Sequence, residues 1–141
     1  MPKHATQLLE KSYVAENTLE IVLEKPNGMT FLAGQNINIK LPQLLFEDKK
    51  GARRTFTISS APHHEHLTLT MRMTGSGFKK TLDQLPIGTE LEFMGPNGRF
   101  YLYDHITDAV IIAAGIGITP FKSMLQEAIA THRPLHVDLF Y

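Results

Sequence analysis

The hydrophobic pattern of this chain changes character after Asp104. Before that point, short runs alternate polar and apolar residues and end at turn residues such as Pro42. One helix is expected among them at Phe78–Leu85, where apolar residues have helical spacing and Pro86 follows. The pattern predicts about six strands in a small antiparallel barrel or sandwich. The runs that indicate strands are Leu19–Glu24, Asn36–Leu41, Thr55–Ser59, Leu67–Met73 and Glu90–Met94.

After Asp104 the sequence has the order strand, glycine turn, helix, strand. Ala109–Ala114 is continuously apolar, which is typical of a parallel strand that is covered on both faces. A helical stretch follows at Pro120–Thr131, and a second strand is expected at Leu135–Phe140. This order predicts one βαβ unit.

The charge balance and the absence of cysteine exclude several classes of function. The chain has 14 Lys and Arg against 14 Asp and Glu, so no overall charge favours nucleic acid or an anionic membrane. Without cysteine it has no disulfide, thiolate nucleophile, or cysteine-held zinc or iron–sulfur cluster. No apolar run follows Met1, and the longest apolar stretch, Ala109–Ile118, is too short to span a membrane. We expect a cytoplasmic protein with no nucleic-acid partner and no membrane insertion.

A glycine motif, Gly115-x-Gly117-x-x-Pro120, lies between the buried strand and the helix of the second unit. Glycines there allow backbone amides to approach a phosphate, and the N-terminus of the helix adds free donors and partial positive charge. Pro120 suits the first helical turn, which needs no amide donor. The same residues are also compatible with a tight turn that binds nothing.

Two motifs in the first unit have similar chemistry. In Arg54-Thr55-Phe56-Thr57, strand alternation sends Arg54 and Phe56 to one face, where they offer a bidentate cation for a diphosphate and an aromatic stacking surface. The alternative is a solvated arginine beside a core phenylalanine. Thr74–Phe78 places glycines immediately before the predicted helix, where amides can bind an anion or simply form a capped loop.

In their order along the chain, four motifs resemble the ferredoxin–NADP(+) reductase family of flavoproteins. They are Arg54–Ser60, Gly75–Phe78 with Leu82, Gly95–Gly98 and Gly115–Pro120. In that family a six-stranded antiparallel Greek-key barrel with one capping helix binds FAD, and a following α/β domain binds NAD(P)H. The resemblance implies a mainly β fold, with residues 1–106 as the FAD-binding barrel and residues 107–141 as the first βαβ unit of an incomplete NAD(P)H-binding domain.

The resemblance also implies an activity and a role for each residue of the first motif. The activity is hydride transfer from NAD(P)H to FAD, followed by electron transfer to an acceptor such as a redox protein. Arg54 would contact the FAD pyrophosphate, with Thr55 beside it, and Phe56 would stack on the isoalloxazine. Thr57 would be the catalytic residue, because its hydroxyl would lie near the flavin N5 that accepts hydride.

The other motifs receive roles in the same way. Amides of Gly77, Phe78 and Lys79 would hold the pyrophosphate. The backbone of three consecutive residues would line the flavin edge: Met71, Arg72 and Met73. The first NAD(P)H phosphate turn would contain Gly115, Gly117 and Pro120, with Thr119 facing the nicotinamide and the flavin. Phe56 replaces the usual tyrosine, and Lys79 stands where a hydroxyl residue is common.

The stretch from Thr107 onwards is shorter than the roughly 40 residues at which a unit usually folds without help. One helix covers only one face of a parallel strand pair, so the other face must meet the barrel or another chain. We expect either a fragment of a longer reductase or a homodimer formed through this βαβ unit. The choice between NAD and NADP cannot be read from these residues.

Two other hypotheses remain open on the sequence. The chain could be a non-catalytic binding or assembly module that keeps the barrel without flavin, or a generic β-barrel with an unrelated ligand. Retention of flavin would distinguish the FAD-dependent oxidoreductase from both of these alternatives. His63, His64 and His66 lie in a turn and do not predict a metal site. Lys49, Lys50, Arg53 and Arg54 form a short basic patch, which is either a solvated loop or a surface that an acidic redox partner could use.

Overall fold

A computed structural model describes the whole chain, residues 1–141. Six strands and one helix form the first unit, and two strands with one helix form the second. The elements are β1 (Lys3–Ala15), β2 (Thr18–Glu24), β3 (Asn36–Lys40), β4 (Arg53–Thr57), β5 (His66–Arg72), α1 (Gly77–Gln84), β6 (Glu90–Asn97), β7 (Asp108–Ile112), α2 (Thr119–Ala130) and β8 (His136–Phe140), with a 3₁₀ turn at Gly115–Ile118 before α2.

The first unit is an antiparallel barrel with the strand order β4-β3-β6-β1-β2-β5. The late strand β6 lies between β3 and β1, which is a Greek-key connection. The barrel closes where the amide of Ser59 donates to the carbonyl of Thr68 at 2.9 Å. Strands alternate buried and exposed residues, as β2 and β5 show, and they enclose a core of 17 apolar residues. The predicted mainly β barrel with one capping helix is confirmed.

The longest strand, β1, was not predicted from the sequence. It pairs with β2 and β6, but only Thr6 and Leu8 along it are buried. Register shifts after Leu8 and after Tyr13 also break its pairing with β2. Because bulges interrupt the period of two and most side chains face solvent, β1 lacks the alternation that identifies a strand.

Strand β6 continues further than the sequence pattern indicates. Gly95 and Pro96 were expected to end it, yet the strand runs to Asn97. The register with β3 shifts between Asn36 and Asn38, so Pro96 lies at an irregularity of the ladder. Proline is tolerated in a strand at such a position because no ladder hydrogen bond requires its missing N–H.

Helix α1 covers one end of the barrel. Ser76 caps it, since its Oγ accepts a hydrogen bond from the Lys79 amide at 3.2 Å. Phe78 and Leu82 are fully buried in the barrel core. The helix begins and ends one residue before the predicted bounds, which is within the usual uncertainty of helix ends.

The second unit docks on the barrel through α2. The Ser123 hydroxyl is buried and donates to the Ser60 carbonyl at 2.7 Å, and Met124 is only 4% exposed.

The parallel strands β7 and β8 were predicted to be covered on both faces, but one face is open: Val110 is 65% and Ile112 is 77% exposed. The barrel meets the second unit at α2 and leaves these side chains uncovered. Neither helix is long and apolar enough to cross a membrane.

Candidate functional site

Strand β4 carries the motif that predicted a diphosphate and flavin contact. Arg54 lies opposite Ile39 and Phe56 opposite Ile37, so both share the face of the strand that looks towards the core. The Phe56 ring packs on Phe78, with 5.9 Å between ring centroids, and stays partly buried. Strand alternation therefore places Arg54 and Phe56 together, as the sequence predicts.

The two threonines of the motif lie on the opposite face of β4. Thr55 is exposed, and its hydroxyl accepts a hydrogen bond from Nδ2 of the Asn38 side chain at 2.9 Å. Thr57 lies opposite Asn36 at the end of the strand and is half-buried. Its side chain makes no hydrogen bond to another residue of the chain. Its hydroxyl is therefore available to a ligand.

Two of the donors predicted for the diphosphate, Arg54 and the Phe78 amide, meet at one carboxylate, that of Asp48. Arg54 Nη2 lies 2.5 Å from Asp48 Oδ1, and the Phe78 amide donates to Asp48 Oδ2 at 2.8 Å. The Lys50 amide also donates to Oδ1, at 2.9 Å. The Arg54 guanidinium lies over the Phe78 ring, 5.3 Å from its centroid. The N-terminus of α1 and the β4 arginine therefore bind an anion jointly.

These contacts lower the pKa of Asp48 to about 2, chiefly through the hydrogen bond from the Phe78 amide, then through those from the Lys50 amide and Arg54. The Asp48 side chain is 6% exposed and that of Arg54 is 18% exposed.

Sequence reasoning did not single out Asp48. It precedes Lys49 and Lys50, so it reads as part of a solvated charge run, and no local signal places it against a helix thirty residues later along the chain.

The second terminal nitrogen of the Arg54 guanidinium, Nη1, also makes hydrogen bonds within the protein. It donates to three backbone carbonyls, those of Lys50, Gly51 and Arg53, at 3.2, 3.1 and 2.6 Å. The end of the loop between β3 and β4 therefore wraps around this side chain. The guanidinium is therefore held in one orientation by groups of the protein itself.

Residues 44–48, which we call the 44–48 loop, lie against α1. The Leu45 amide donates to the Thr81 hydroxyl at 3.0 Å, and a Cβ added to Gly77 would collide with the Glu47 carbonyl. The Lys80 ammonium lies 5.1 Å from the centroid of the Phe46 ring. Gly77 is thus required for close approach of the loop backbone to the start of the helix.

Lys79 links α1 to the end of β5. Its ammonium donates to the Arg72 carbonyl at 2.5 Å, and its amide is held by the Ser76 cap. Burial lowers the pKa of Lys79, and the positive charge of Arg54 lowers it further. The Arg72 carbonyl, which was predicted to line the flavin edge, therefore has a cation beside it.

Met71 and Met73, the other two residues predicted to line the flavin edge, differ in burial. Met71 is buried in the barrel core, whereas Met73 is partly buried and its amide donates to the Asn17 carbonyl at 2.7 Å. The Met71 side chain is therefore a core residue, and only its backbone remains for a ligand.

A cavity of about 450 Å³ lies between β5 and the start of the second unit. Arg72 lines it from β5, and Gly115 and Thr119 line it from the predicted phosphate turn. Thr119 is 7% exposed, and its hydroxyl donates to the Ile116 carbonyl at 3.1 Å. Gly117 is exposed and does not line the cavity. Pro120 lies in the first turn of α2. The remaining lining residues are Val14, Ala15, Thr18, Glu20, Thr70, Ile116, Ile118, Lys122 and Tyr141.

The structure thus forms two clusters from the predicted residues. Arg54, Phe56, Phe78 and Lys79 surround the N-terminus of α1. Arg72, Gly115 and Thr119 surround the cavity. Lys79 connects the clusters through its contact with Arg72.

The histidine cluster joins the barrel to α2. His63 Nδ1 lies 2.7 Å from Glu127 Oε2, and the His63 and His64 rings are 4.4 Å apart. Burial is the main cause of a lowered pKa of His64, followed by the neighbouring His63. The chain contains no group of three or more His, Asp or Glu residues that could hold a metal ion.

Comparison with known proteins identifies the first unit. The family model of the oxidoreductase FAD-binding domain matches residues 5–101. A flavohemoprotein of Pseudomonas aeruginosa is 31% identical over 134 residues, which cover 92% of this chain and 33% of that protein. The ferredoxin reductase component of a 3-ketosteroid-9-alpha-monooxygenase of Mycolicibacterium smegmatis is 29% identical over 136 residues, which cover 86% of this chain and 37% of that protein.

Solved structures share the fold at lower sequence identity. Phthalate dioxygenase reductase has a TM-score of 0.82 at 23% identity, covering 99% of this chain and 43% of that one. Ferredoxin-NADP+ reductase from Plasmodium falciparum has a TM-score of 0.77 at 21% identity, covering 97% and 57%. The chain therefore spans about a third of the curated relatives named above and about half of these solved structures.

Proposed function

Because the chain belongs to the family of oxidoreductase FAD-binding domains, we propose that it is the flavin-binding part of an NAD(P)H-dependent electron-transfer reductase. The observation that carries the proposal is the convergence of Arg54 and the Phe78 amide on one anion at the start of α1. FAD supplies the hydride-accepting ring of such a reductase. The protein positions that ring and neutralises the charge of its diphosphate.

The donor set at α1 fits a diphosphate chemically. A guanidinium and a helix N-terminal amide already hold a carboxylate there, and phosphate oxygens accept from the same donors. Arg54 would bind the diphosphate, the amides of Gly77 and Phe78 would face it, and the Lys79 ammonium would add positive charge. The Lys79 amide, which the resemblance also assigns to the diphosphate, donates to the Ser76 hydroxyl at the helix cap. These roles rest on the positions of the residues and on the family motif.

Phe56 and Thr57 would contact the flavin ring from β4. Phe56 is held against Phe78 while part of its ring stays accessible, so a stacking surface is fixed before binding. Thr57 carries a hydroxyl without a protein partner at the end of the strand, where it would hydrogen-bond the flavin near N5. Thr55 and the Met71–Met73 backbone complete the proposed contacts.

The cavity between β5 and the phosphate turn would receive the nicotinamide. Thr119 lies in its wall, and Gly115, Gly117 and Pro120 form the turn that would approach a phosphate of NAD(P)H. We place the boundary between the two functional units at residues 106 and 107, so that residues 107–141 belong to the nucleotide-binding part.

An electron acceptor protein is the partner we propose. One relative is named as the electron transfer component of a 2-halobenzoate 1,2-dioxygenase and another as a ferredoxin reductase component. The basic residues Lys49, Lys50 and Arg53 are exposed beside the flavin site and would favour an acidic acceptor surface. We propose that the protein works in the cytoplasm.

Retention of flavin tests the proposal. The purified chain is mixed with FAD, free ligand is removed, and the visible absorption spectrum is recorded for wild type, Arg54→Ala and Arg53→Ala. We expect wild type and Arg53→Ala to retain flavin bands, because exposed Arg53 makes only a 3.7 Å contact with Met94 Sδ. Arg54→Ala should lose them, since it removes the charged donor to the diphosphate.

A colourless wild-type protein would contradict the proposal and would favour a binding module that keeps the barrel without flavin. Equal flavin retention by all three proteins would show that Arg54 is not a diphosphate ligand.

A further inference from the structure

The carboxylate of Asp48 contacts two of the groups that would bind the flavin diphosphate under the function proposed above, the Arg54 guanidinium and the Phe78 amide. It accepts from the Phe78 amide at 2.8 Å and lies 2.5 Å from Arg54 Nη2. Its side chain is 6% exposed, so water reaches it poorly. A nearly buried carboxylate with several donors is a strong ligand for this arginine and this helix terminus.

Asp48 and a diphosphate cannot both accept from the Phe78 amide. The Phe78 amide has one hydrogen, and Asp48 Oδ2 accepts it in a bond of ordinary length. A diphosphate oxygen at the same amide would also lie beside the Asp48 carboxylate, and two negative charges at that separation repel each other. Binding of the diphosphate at Phe78 therefore requires the carboxylate to leave.

The contacts around Asp48 indicate what moves with it. Asp48 ends the 44–48 loop, which is attached to α1 through the Leu45 amide and the Thr81 hydroxyl. The Lys50 amide holds Asp48 Oδ1 from the other side. The carboxylate thus adds to the contacts that hold the loop over the start of the helix, and its release frees the Phe78 amide and removes one of those contacts.

We propose that Asp48 is an internal competitor of the flavin diphosphate and thereby a residue that sets the affinity of this chain for FAD. The inference rests on the proposed function, because it takes Arg54 and the Phe78 amide as the diphosphate ligands. In the free protein Asp48 contacts Arg54 and helps to hold the 44–48 loop. On binding, the diphosphate takes its place.

The experiment measures binding rather than turnover. FAD and, separately, inorganic diphosphate are titrated calorimetrically into wild type, Asp48→Asn, Asp48→Ala and Glu47→Gln. Glu47→Gln is the matched control, because it removes the same charge one residue earlier from an exposed side chain that makes no ion pair. We expect both Asp48 variants to bind FAD and diphosphate at least about tenfold more tightly than wild type, with Glu47→Gln unchanged.

The sign of the effect decides the inference. Weaker binding by the Asp48 variants would show that Asp48 positions Arg54 for the ligand, and unchanged binding would show that it does not compete; either result overturns the proposal. Absence of FAD binding in every protein would overturn the proposed function. In that case tighter diphosphate binding by the Asp48 variants still supports competition, and no tightening overturns it as well.

A measurement on the wild-type chain covers the case in which the Asp48 variants do not fold. The side-chain carboxyl carbon of Asp48 is followed by NMR as inorganic diphosphate is added. Competition predicts that its resonance moves together with that of the Phe78 amide and in proportion to saturation. A Phe78 amide that shifts while the Asp48 carboxyl resonance stays in place would overturn the proposal.

Discussion

Arg54 is held in one orientation by groups that lie close to it in sequence, and one of them, Asp48, also contacts the distant start of α1. Its Nη1 donates to carbonyls of residues 50, 51 and 53, while Asp48 joins it to the start of α1. The guanidinium and the Phe78 ring stack, which limits its movement further. A single carboxylate therefore links the order of the β3–β4 loop to the geometry of the proposed diphosphate site.

The stability that the contacts of Asp48 with Arg54 and the Phe78 amide contribute should depend on pH, because the Asp48 carboxyl titrates. Its pKa falls from an ordinary value of 3.8 to about 2 in the folded chain. A lowered folded-state pKa means that the stabilisation is fully present above about pH 4 and is lost as the pH falls through about 2. We expect the melting temperature of wild type to exceed that of Asp48→Asn near neutral pH and to approach it across this window.

The comparison of wild type with Asp48→Asn cancels the titration of the other carboxylates, including Glu92, whose pKa Lys3 also lowers. A difference in melting temperature that stays constant from about pH 7 to about pH 2 would contradict the assignment of this ion pair.

Helix α1 and the 44–48 loop depend on a glycine for their contact. Gly77 is buried at the first residue of the helix, and the Glu47 carbonyl lies where its Cβ would be. We expect Gly77→Ala to lower the free energy of unfolding by about 1–3 kcal/mol, because the clash is with backbone that can move only if the loop lifts. Denaturant unfolding measures the effect.

Gly117→Ala is the control for this prediction. A Cβ there meets nothing within 4 Å, and the residue does not have a positive φ. We expect its stability to change by less than about 0.5 kcal/mol. A Gly77→Ala chain as stable as Gly117→Ala would show that the loop does not lie against the helix in solution.

The whole molecule exposes an apolar face on the strand pair β7 and β8. Val110, Ile112 and Phe140 are 65%, 77% and 62% exposed, and the barrel does not cover them. Such a face on an open strand pair favours association with a second copy or with further chain. We expect self-association at micromolar concentration, measured as weight-average mass by light scattering.

Ile112→Lys should shift that mass towards the 15.9 kDa of a single chain, because it places a charge beside the exposed Val110 and Phe140 side chains. Ile87→Lys is the matched control: Ile87 is 56% exposed at a barrel turn far from this strand pair in sequence. A monomeric wild type, or equal effects of the two substitutions, would contradict association through β7 and β8.

Much of the fold follows from local patterns. Five of the six barrel strands, α1 and the βαβ order were identified from alternation, helical spacing and turn residues, and the family assignment from four ordered motifs is confirmed. Strand β1 and the end of β6 were missed for a common reason. Their pairing contains register shifts, so their positions depend on partner strands rather than on their own periodicity.

The sequence by itself determined which residues share a strand face or a turn, because β-strand alternation places Arg54 with Phe56 and a glycine turn precedes each helix. Only the tertiary structure decided what those residues touch. Asp48 meets the Phe78 amide across thirty residues of chain, and α2 takes the contact with the barrel while β7 and β8 keep an exposed face. Local propensities act over a few residues, whereas an ion pair or a docked helix forms where the folded backbone brings distant segments within a few ångströms.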